Sequence, residues 1–225
     1  LSVSAISFHE LWSLSAEKNI PVQGERKITP QQFQLAQLDM ATFQLFQSHI
    51  PMEADGKAET IFLPTPDGNS MEFRVYEKPM MESGLYQRYP QIKTYTALGV
   101  SNPRVMAKLD YTLFGFHAMI LDGEQTYFID PLTNGTQEWY QIYYKKDYRR
   151  NLSHSMICEV KDEELPQDQG SAIPLAGSSQ VPALSYKTNG DTIRNYRLAL
   201  ACTEEYSAAV GGATPTKASV LSAMV

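Results

Sequence analysis

The first residues that could carry out chemistry are His9-Glu10-Leu11-Trp12-Ser13, which begin like a helical zinc-binding motif. That motif places a second histidine four residues after the first, so that both imidazoles reach one metal ion from one helix face. Ser13 stands at that position instead. The pattern therefore indicates a solvated His-Glu pair and argues against a zinc site here.

The remaining histidines are scattered and have no metal-binding partner at short spacing; they are His49, His117 and His154. We expect His117, in a predicted strand, to be a structural histidine with a satisfied hydrogen bond. Three aspartates are expected at strand ends or turns, where their side chains stabilise the backbone; they are Asp110, Asp122 and Asp130. The sequence has no nucleophile elbow, phosphate loop or dinucleotide fingerprint, so no complete enzyme is predicted within it.

Two cysteines, Cys158 and Cys202, are too few for a disulfide scaffold. A thiolate at Cys158, just before an exposed linker, could bind a zinc ion in a neighbouring domain and occupy the position that catalytic water needs. Cys158 also shares one face of a predicted strand with Met156 and Val160, as a small core residue would. Pairing of the two cysteines is a third interpretation, and the spacing leaves all three open.

Aromatic and basic residues cluster near the end of the predicted sheet. The aromatic set favours core packing over a binding face and comprises Trp139, Tyr140, Tyr143 and Tyr144. The basic set is expected to be a solvated edge, with docking onto an acidic partner as the alternative; it comprises Lys145, Lys146, Arg149 and Arg150.

Composition excludes some classes of function. A net charge of −6 over 225 residues argues against nucleic-acid binding, which needs a basic surface. No stretch approaches the roughly 18 apolar residues of a membrane-spanning helix, and no signal peptide is visible at Leu1. The 43% of hydrophobic residues is enough for a real core.

The fold predicted for residues 1–160 is a mainly antiparallel β domain with two minor helices, in the α+β class. Asp39 is the predicted N-cap of a helix over 40–48, with Leu45 among its regularly spaced apolar residues. A second helix is predicted over 82–89. Strands are predicted over 60–63, 71–76, 92–100, 105–111, 116–121, 125–129, 139–144 and 156–160, with hairpin turns at 66–68 and 122–123.

Residues 161–191 have the composition of an exposed linker, where proteolysis concentrates. The candidate cleavage region is marked by Leu165, Gly170, Ala176, Ser185 and Lys187. Residues 192–225 then predict a strand over 193–202 and a helix from Glu204 that breaks at 211–212 and resumes at 215. Because one strand and one helix cannot bury a core alone, this tail is expected to be the start of a second domain.

An ordered set of segments carries a family resemblance: ERKITP at 25–30, FRVYEKPMM at 73–81, YPQIKTYTALG at 89–99, AKLDYTLFGFHAMI at 107–120, YFIDP at 127–131 and YRLALACTEEY at 196–206. Together they resemble the prodomain and the opening of the catalytic domain of bacterial reprolysin-like metalloproteases, which are metzincins. The resemblance covers about residues 25–225 in the order prodomain, linker and protease.

The resemblance implies the propeptide of a secreted zinc metalloendopeptidase, a zymogen whose hydrolase domain is kept latent and helped to fold by residues 1–160. It implies zinc in the parent protease, with none bound by this chain, and partners that are its own catalytic domain and the protein substrates of proteolysis. The zinc motif of the family has no matching residues here, so this chain alone is expected to be inactive. Cys158 would then be a candidate switch ligand to the zinc of the catalytic domain. The alternative is a stand-alone secreted β-rich binding or adhesion module.

Overall fold

The computed structural model describes residues 7–16, 20, 24–123, 125–133, 136–148, 200–210 and 216–225. Its helices are α1 (Phe8–Leu11), α2 (Met40–Gln47), α3 (Ser83–Arg88), α4 (Glu204–Val210) and α5 (Lys217–Ser222). Its strands are β1 (Trp12–Ser15), β2 (Gln34–Leu38), β3 (Glu59–Pro64), β4 (Ser70–Glu77), β5 (Lys93–Gly99), β6 (Met106–Thr112), β7 (Gly115–Asp122), β8 (Gln125–Thr133) and β9 (Thr136–Tyr144). Two single 3₁₀ turns, Glu53–Asp55 and Lys145–Asp147, complete the described elements.

The nine strands form one antiparallel sheet in the order β1-β2-β9-β8-β7-β6-β5-β4-β3. Strands β3 to β9 run as a meander in which each strand pairs with the next along the chain, and the β1–β2 hairpin adds to the free edge of β9. Left-handed glycines permit two of the tight turns: Gly68 has φ +78° and Gly123 has φ +53°. The prediction of a mainly antiparallel β domain with minor helices is confirmed.

The sheet curls around its core. The Tyr144 hydroxyl, at the end of β9, donates to the Asp67 carboxylate in the β3–β4 turn, although four strands lie between β9 and β4 in the sheet. Neighbouring strands lie about 4.8 Å apart, so a flat sheet would hold these residues more than about 20 Å from each other. The hydrogen bond therefore requires a strongly curved sheet.

One face of the sheet, called here the core face, carries an apolar core that α2 covers. Its largest fully buried members include Trp12, Tyr140, Phe43, Phe73 and Phe116. The rings of Phe43 and Phe116 pack edge-to-face at 5.3 Å, and Phe116 also packs against Tyr140 at 6.2 Å. The buried members of this core come from residues 11–142, and no described residue of 200–225 belongs to it.

The meander and its helices agree with the sequence prediction, whereas the N-terminal elements were not predicted. Helix α2 begins where expected, with Asp39 Oδ1 accepting a hydrogen bond from the Thr42 backbone N–H at 2.7 Å. Within α2, however, the buried residues are Phe43 and Phe46, and Leu45 is 61% exposed. The expected apolar face included Phe46, which is buried, but it was wrong at Leu45 and it omitted Phe43.

The tail is only partly described. Helices α4 and α5 lie where the sequence predicts them, on either side of residues 211–215. Residues 200–203 are in neither helix nor strand, and the rest of the strand predicted over 193–202 lies outside the described residues, as does the strand over 156–160. The described residues between 7 and 148 and those between 202 and 225 belong to one compact unit. The domain boundaries at 160 and 191 stay predictions, since the linker is not described.

Candidate functional site

The face of the sheet opposite the core, called here the outer face, carries a row of polar side chains on five consecutive strands. Thr94 pairs with Asp110, Asp110 pairs with His117, and Asp130 pairs with Gln141. Side chains directly opposite each other in adjacent antiparallel strands lie about 5 Å apart at Cβ. This polar row, comprising Thr94, Asp110, His117, Asp130 and Gln141, is the candidate functional site of the outer face.

The centre of the polar row is an imidazole beside two carboxylates. His117 Nδ1 lies 3.0 Å from Asp110 Oδ1, and the two side chains are 30% and 26% exposed. Burial lowers the pKa of His117, but the hydrogen bond to Asp110 and the charges of Asp110 and Asp130 outweigh it, so the pKa lies above its ordinary value. His117 therefore has the hydrogen-bond partner that the sequence led us to expect.

Asp130 is the buried carboxylate of the row. It is 9% exposed, and its Oδ2 accepts a hydrogen bond of 2.6 Å from the hydroxyl of Tyr143, which is 4% exposed. Burial raises the pKa of Asp130, while the Tyr143 hydrogen bond and the charge of His117 oppose the rise without cancelling it. Burial and the Asp130 charge also raise the pKa of Tyr143.

Two of the three aspartates expected at strand ends or turns lie elsewhere. Asp110 is inside β6 and Asp130 is inside β8, where each faces a partner on the next strand. The expectation was wrong for both because their partners compensate the poor strand propensity of aspartate. Asp122 ends β7 before the turn at Gly123, as expected.

The end of the polar row that lies on β9 is covered by the segment that precedes β2. Gln141 is fully buried; its Oε1 accepts from Arg26 Nη2 at 3.1 Å, and its Nε2 donates to the Ile28 carbonyl at 3.0 Å. The Gln31 backbone N–H also donates to the Asp147 carbonyl at 2.8 Å. Residues 26–31 therefore lie over β9, while Asp110 and His117 remain open to solvent.

The arrangement can hold a proton and respond to pH, but it lacks the parts of a hydrolytic centre. No nucleophilic side chain forms a hydrogen bond with the ring of His117 in the described part of the chain. Among those residues there is also no group of three or more His, Cys, Asp or Glu side chains that could hold a metal ion. We therefore treat the row as a structural and titratable feature.

An apolar patch lies beside the polar row on the outer face of β5 to β8. Its exposed members are Leu98, Met119 and Leu121, with exposures of 36%, 36% and 38%. Met106, opposite both Leu98 and Leu121, and Phe128, opposite Met119, are half-buried between them. These five residues are called here the outer-face patch.

The other residues singled out in the sequence are placed as follows. His9 is exposed, and Glu10 accepts two hydrogen bonds from Ser7 at the start of α1, so neither joins the polar row. Tyr140 and Tyr144 face the core and Tyr143 the outer face. Lys146 Nζ lies 4.7 Å from the centre of the Tyr144 ring.

Cys202 is an exposed free thiol in the structure, 3.4 Å from the Ser207 hydroxyl. Cys158 lies outside the described residues. So do His154, Arg149, Arg150 and the candidate cleavage residues Leu165, Gly170, Ala176, Ser185 and Lys187.

Sequence reasoning found His117 but missed Asp130 and Tyr143 as a buried pair. The signal available was an acidic residue and a tyrosine inside strands that otherwise alternate regularly, which marks a polar group that needs a partner.

Among the helices that the structure describes, none is long and apolar enough to cross a membrane. Comparisons of the chain with protein-family models, with curated proteins and with solved structures found no match.

Proposed function

We propose that the sheet domain is the prodomain of a secreted zinc metallopeptidase precursor of the reprolysin-like type, which keeps the catalytic domain latent and assists its folding. The parent protease would carry the zinc, and its substrates would be proteins. The observation that carries the proposal is the outer-face patch: an apolar surface on the central strands that the described residues leave open to solvent. The ordered family resemblance implies that its partner is the catalytic domain of the same precursor.

The position of the patch supports a role in docking. Strands β5 to β8 are held by neighbours on both sides in the sheet, so their outer face is a rigid surface. Leu98, Met119 and Leu121 each expose a little more than a third of their surface. Covering this surface would therefore contribute about a third of the 1.5–3 kcal/mol that full burial of such a side chain gives. A rigid apolar surface with a titratable polar border is suited to bind a folded domain.

The proposal requires a sheet domain that has its own core, distinct from that of the catalytic domain. All described members of the buried core lie within residues 11–142, and none of them comes from 200–225. Helices α4 and α5 have seven and six residues and lie in the same compact unit as the sheet, but they contribute no described residue to its core, and we assign them to the start of the catalytic domain. Latency would arise from blockade by the sheet domain, with the Cys158 thiolate as a candidate additional ligand of the zinc.

The test is inhibition in trans. The 225-residue chain is added to the mature peptidase domain of its precursor, and cleavage of a protein substrate is measured. We expect inhibition at micromolar concentration. Leu121→Asp should inhibit at least about tenfold more weakly, because the interface would then bury an unpaired carboxylate in place of an apolar side chain. Leu45→Asp is the matched control, since Leu45 is exposed on α2 and outside the patch.

Two results would contradict the proposal in different ways. Absence of inhibition by the wild-type chain at about 100 μM would exclude a role as inhibitor. Equal weakening by Leu121→Asp and Leu45→Asp would exclude the outer-face patch as the contact surface. A Cys158→Ala precursor that stays latent would remove the thiolate and leave the blockade by the sheet domain intact.

The same patch would also serve the second candidate, a stand-alone secreted binding module. The reading frame downstream of Val225 separates the two: a histidine-rich zinc motif supports the precursor, and further binding repeats support the module.

A further inference from the structure

A cleft of about 590 Å³ opens where the β3–β4 turn, the β7–β8 turn and the end of β9 come together. The residues of its wall that matter here are Asp67, Asn69, Asp122, Gln125, Tyr127 and Tyr144. The curvature of the sheet brings these turns together although they are distant along the chain. This turn-end cleft is separate from the polar row and the outer-face patch, since Tyr127 and Tyr144 belong to the core face.

The turn-end cleft is negatively charged. Asp67 and Asp122 line it, whereas lysine, arginine and histidine are absent from its described wall. Neither carboxylate forms an ion pair with a described residue. The Asp67 hydrogen bond raises the pKa of Tyr144 to about 12, burial and the charge of Asp122 adding to the effect, so this hydroxyl stays protonated. Lys146 lies over the Tyr144 ring but does not line the cleft.

Tyr127 gives an independent indication of a ligand. It is 3% exposed and lines the cleft, and its hydroxyl is buried with no hydrogen-bond partner among the described residues. A buried hydroxyl without a partner is unfavourable, because it has lost its hydrogen bonds to water without gaining others. The ring is fixed by an edge-to-face contact with Tyr144 at 6.1 Å, so the hydroxyl cannot readily turn elsewhere. A ligand that donates a hydrogen bond would supply the missing partner.

We propose that the turn-end cleft binds the cationic side chain of a lysine or arginine from a peptide or protein partner. The Asp67 and Asp122 carboxylates and the Tyr127 hydroxyl are acceptors for ammonium or guanidinium N–H groups. Met71 and the tyrosine rings supply an apolar wall for the aliphatic stem of such a side chain. The inference is independent of the proposed function, since it involves neither zinc nor a peptidase.

An organic cation fits the cleft better than a metal ion does. The described residues offer no cluster of three or more metal-binding side chains. Calcium takes six to eight oxygen ligands at 2.3–2.6 Å, which requires a compact site and not an open cleft of this size. The volume suits a side chain with its stem.

In the test, the ¹⁵N-labelled 225-residue chain is titrated with the peptide Ac-Gly-Gly-Arg-Gly-Gly-NH₂, and binding is observed in ¹⁵N-HSQC spectra. The control peptide carries citrulline, which has nearly the shape of arginine without its charge. We expect saturable chemical-shift changes in the β3–β4 and β7–β8 turns, with a Kd of about 1 mM for the arginine peptide. The citrulline peptide should bind at least about fivefold more weakly, which corresponds to about 1 kcal/mol for one exposed ion pair. The affinity for the arginine peptide should fall as salt is added.

Variants assign the contact to the cleft. Asp122→Asn and Tyr127→Phe should each weaken the arginine peptide about threefold to tenfold, because each removes one acceptor of a charge-assisted hydrogen bond. Glu138→Gln removes the same charge as Asp122→Asn at an exposed position outside the cleft and should leave the affinity unchanged. Unfolding midpoints show whether each variant is folded. If Tyr127→Phe does not fold, the affinity of Asp122→Asn decides the test.

Three outcomes would overturn the proposal. Equal affinity for the arginine and citrulline peptides would exclude recognition of charge, and absence of saturation at about 20 mM peptide would exclude a site. Saturation of the same resonances by CaCl₂ alone, without an effect of the peptide, would identify a metal site instead. Because the assay contains no peptidase, its failure says nothing about the inhibition experiment.

Discussion

The hydrogen bond between Tyr143 and Asp130 should contribute measurably to stability, and Tyr143→Phe isolates it. The substitution removes one oxygen and keeps the ring, which packs 5.6 Å from Phe128. Asp130 loses the donor at 2.6 Å while remaining 9% exposed. A buried acceptor of this kind that loses its partner costs about 1.5–3 kcal/mol in the free energy of unfolding. For a urea slope of about 2 kcal/mol/M, the midpoint should fall by about 1 M.

Tyr127→Phe is the matched control. Tyr127 is 3% exposed and Tyr143 is 4% exposed, so both substitutions remove a hydroxyl from an equally buried ring. The Tyr127 hydroxyl has no partner among the described residues, so its loss leaves no acceptor unsatisfied. We expect the free energy of unfolding of Tyr127→Phe to stay within about 0.5 kcal/mol of wild type or to increase. Urea unfolding followed by far-UV circular dichroism measures both variants.

The pH dependence of this difference tests the cause. Burial raises the folded-state pKa of Asp130 above its usual value, and the Tyr143 hydrogen bond opposes that rise more than the charge of His117 does. The ionised carboxylate needs the donor, whereas the protonated one does not. The cost of Tyr143→Phe should therefore be largest above the folded-state pKa of Asp130 and should shrink as pH falls through it. Equal costs for both tyrosines, or a cost of Tyr143→Phe that is independent of pH, would refute this reasoning.

Three further substitutions test other parts of the domain. His117 has a raised folded-state pKa, so its contribution to stability is full below about pH 6.5 and is lost as pH rises through the folded value; His117→Asn should therefore abolish that loss in urea unfolding measured from pH 5.5 to 8.5. Gly99→Ala should lower the thermal midpoint, because the added Cβ would lie 2.7 Å from the Asn102 carbonyl oxygen, and an unchanged midpoint would count against this contact. Phe43→Ala should cost about 3–5 kcal/mol in urea unfolding, whereas Leu45→Ala on the exposed side of α2 should cost less than about 0.5.

The meander could be predicted because its signals are local. Alternation of apolar and polar residues assigns each strand, and turns with aspartate and glycine at Asp67-Gly68 and Asp122-Gly123 fix which strands form hairpins. Strands β1 and β2 carry no such signal. Strand β2 joins the sheet by pairing with β9, about a hundred residues later in the chain, with Leu35 opposite Gln141. No window of the sequence contains both partners of that pairing.

The polar row could not be predicted for a related reason. Asp110 and His117 are seven residues apart, and they meet only because the β6–β7 hairpin places them directly opposite each other. Aspartate alone favours turns, and that tendency decided the expectation for Asp110 and Asp130. The register of the strands overrides it by bringing each carboxylate to a donor. The N-cap at Asp39, by contrast, needs only the backbone three residues later and was predicted correctly.

The outer-face patch and the turn-end cleft contain residues that are neighbours in the chain, but single substitutions can distinguish the two surfaces. Leu121 and Asp122 are consecutive in β7, so their side chains point to opposite faces of the sheet. Leu121 belongs to the outer-face patch, and Asp122 lines the turn-end cleft. We therefore expect Leu121→Asp to weaken inhibition of the peptidase without changing the affinity for the arginine peptide, and Asp122→Asn to do the reverse. If both substitutions weaken both activities, the two surfaces are one binding site, and neither proposal stands in its present form.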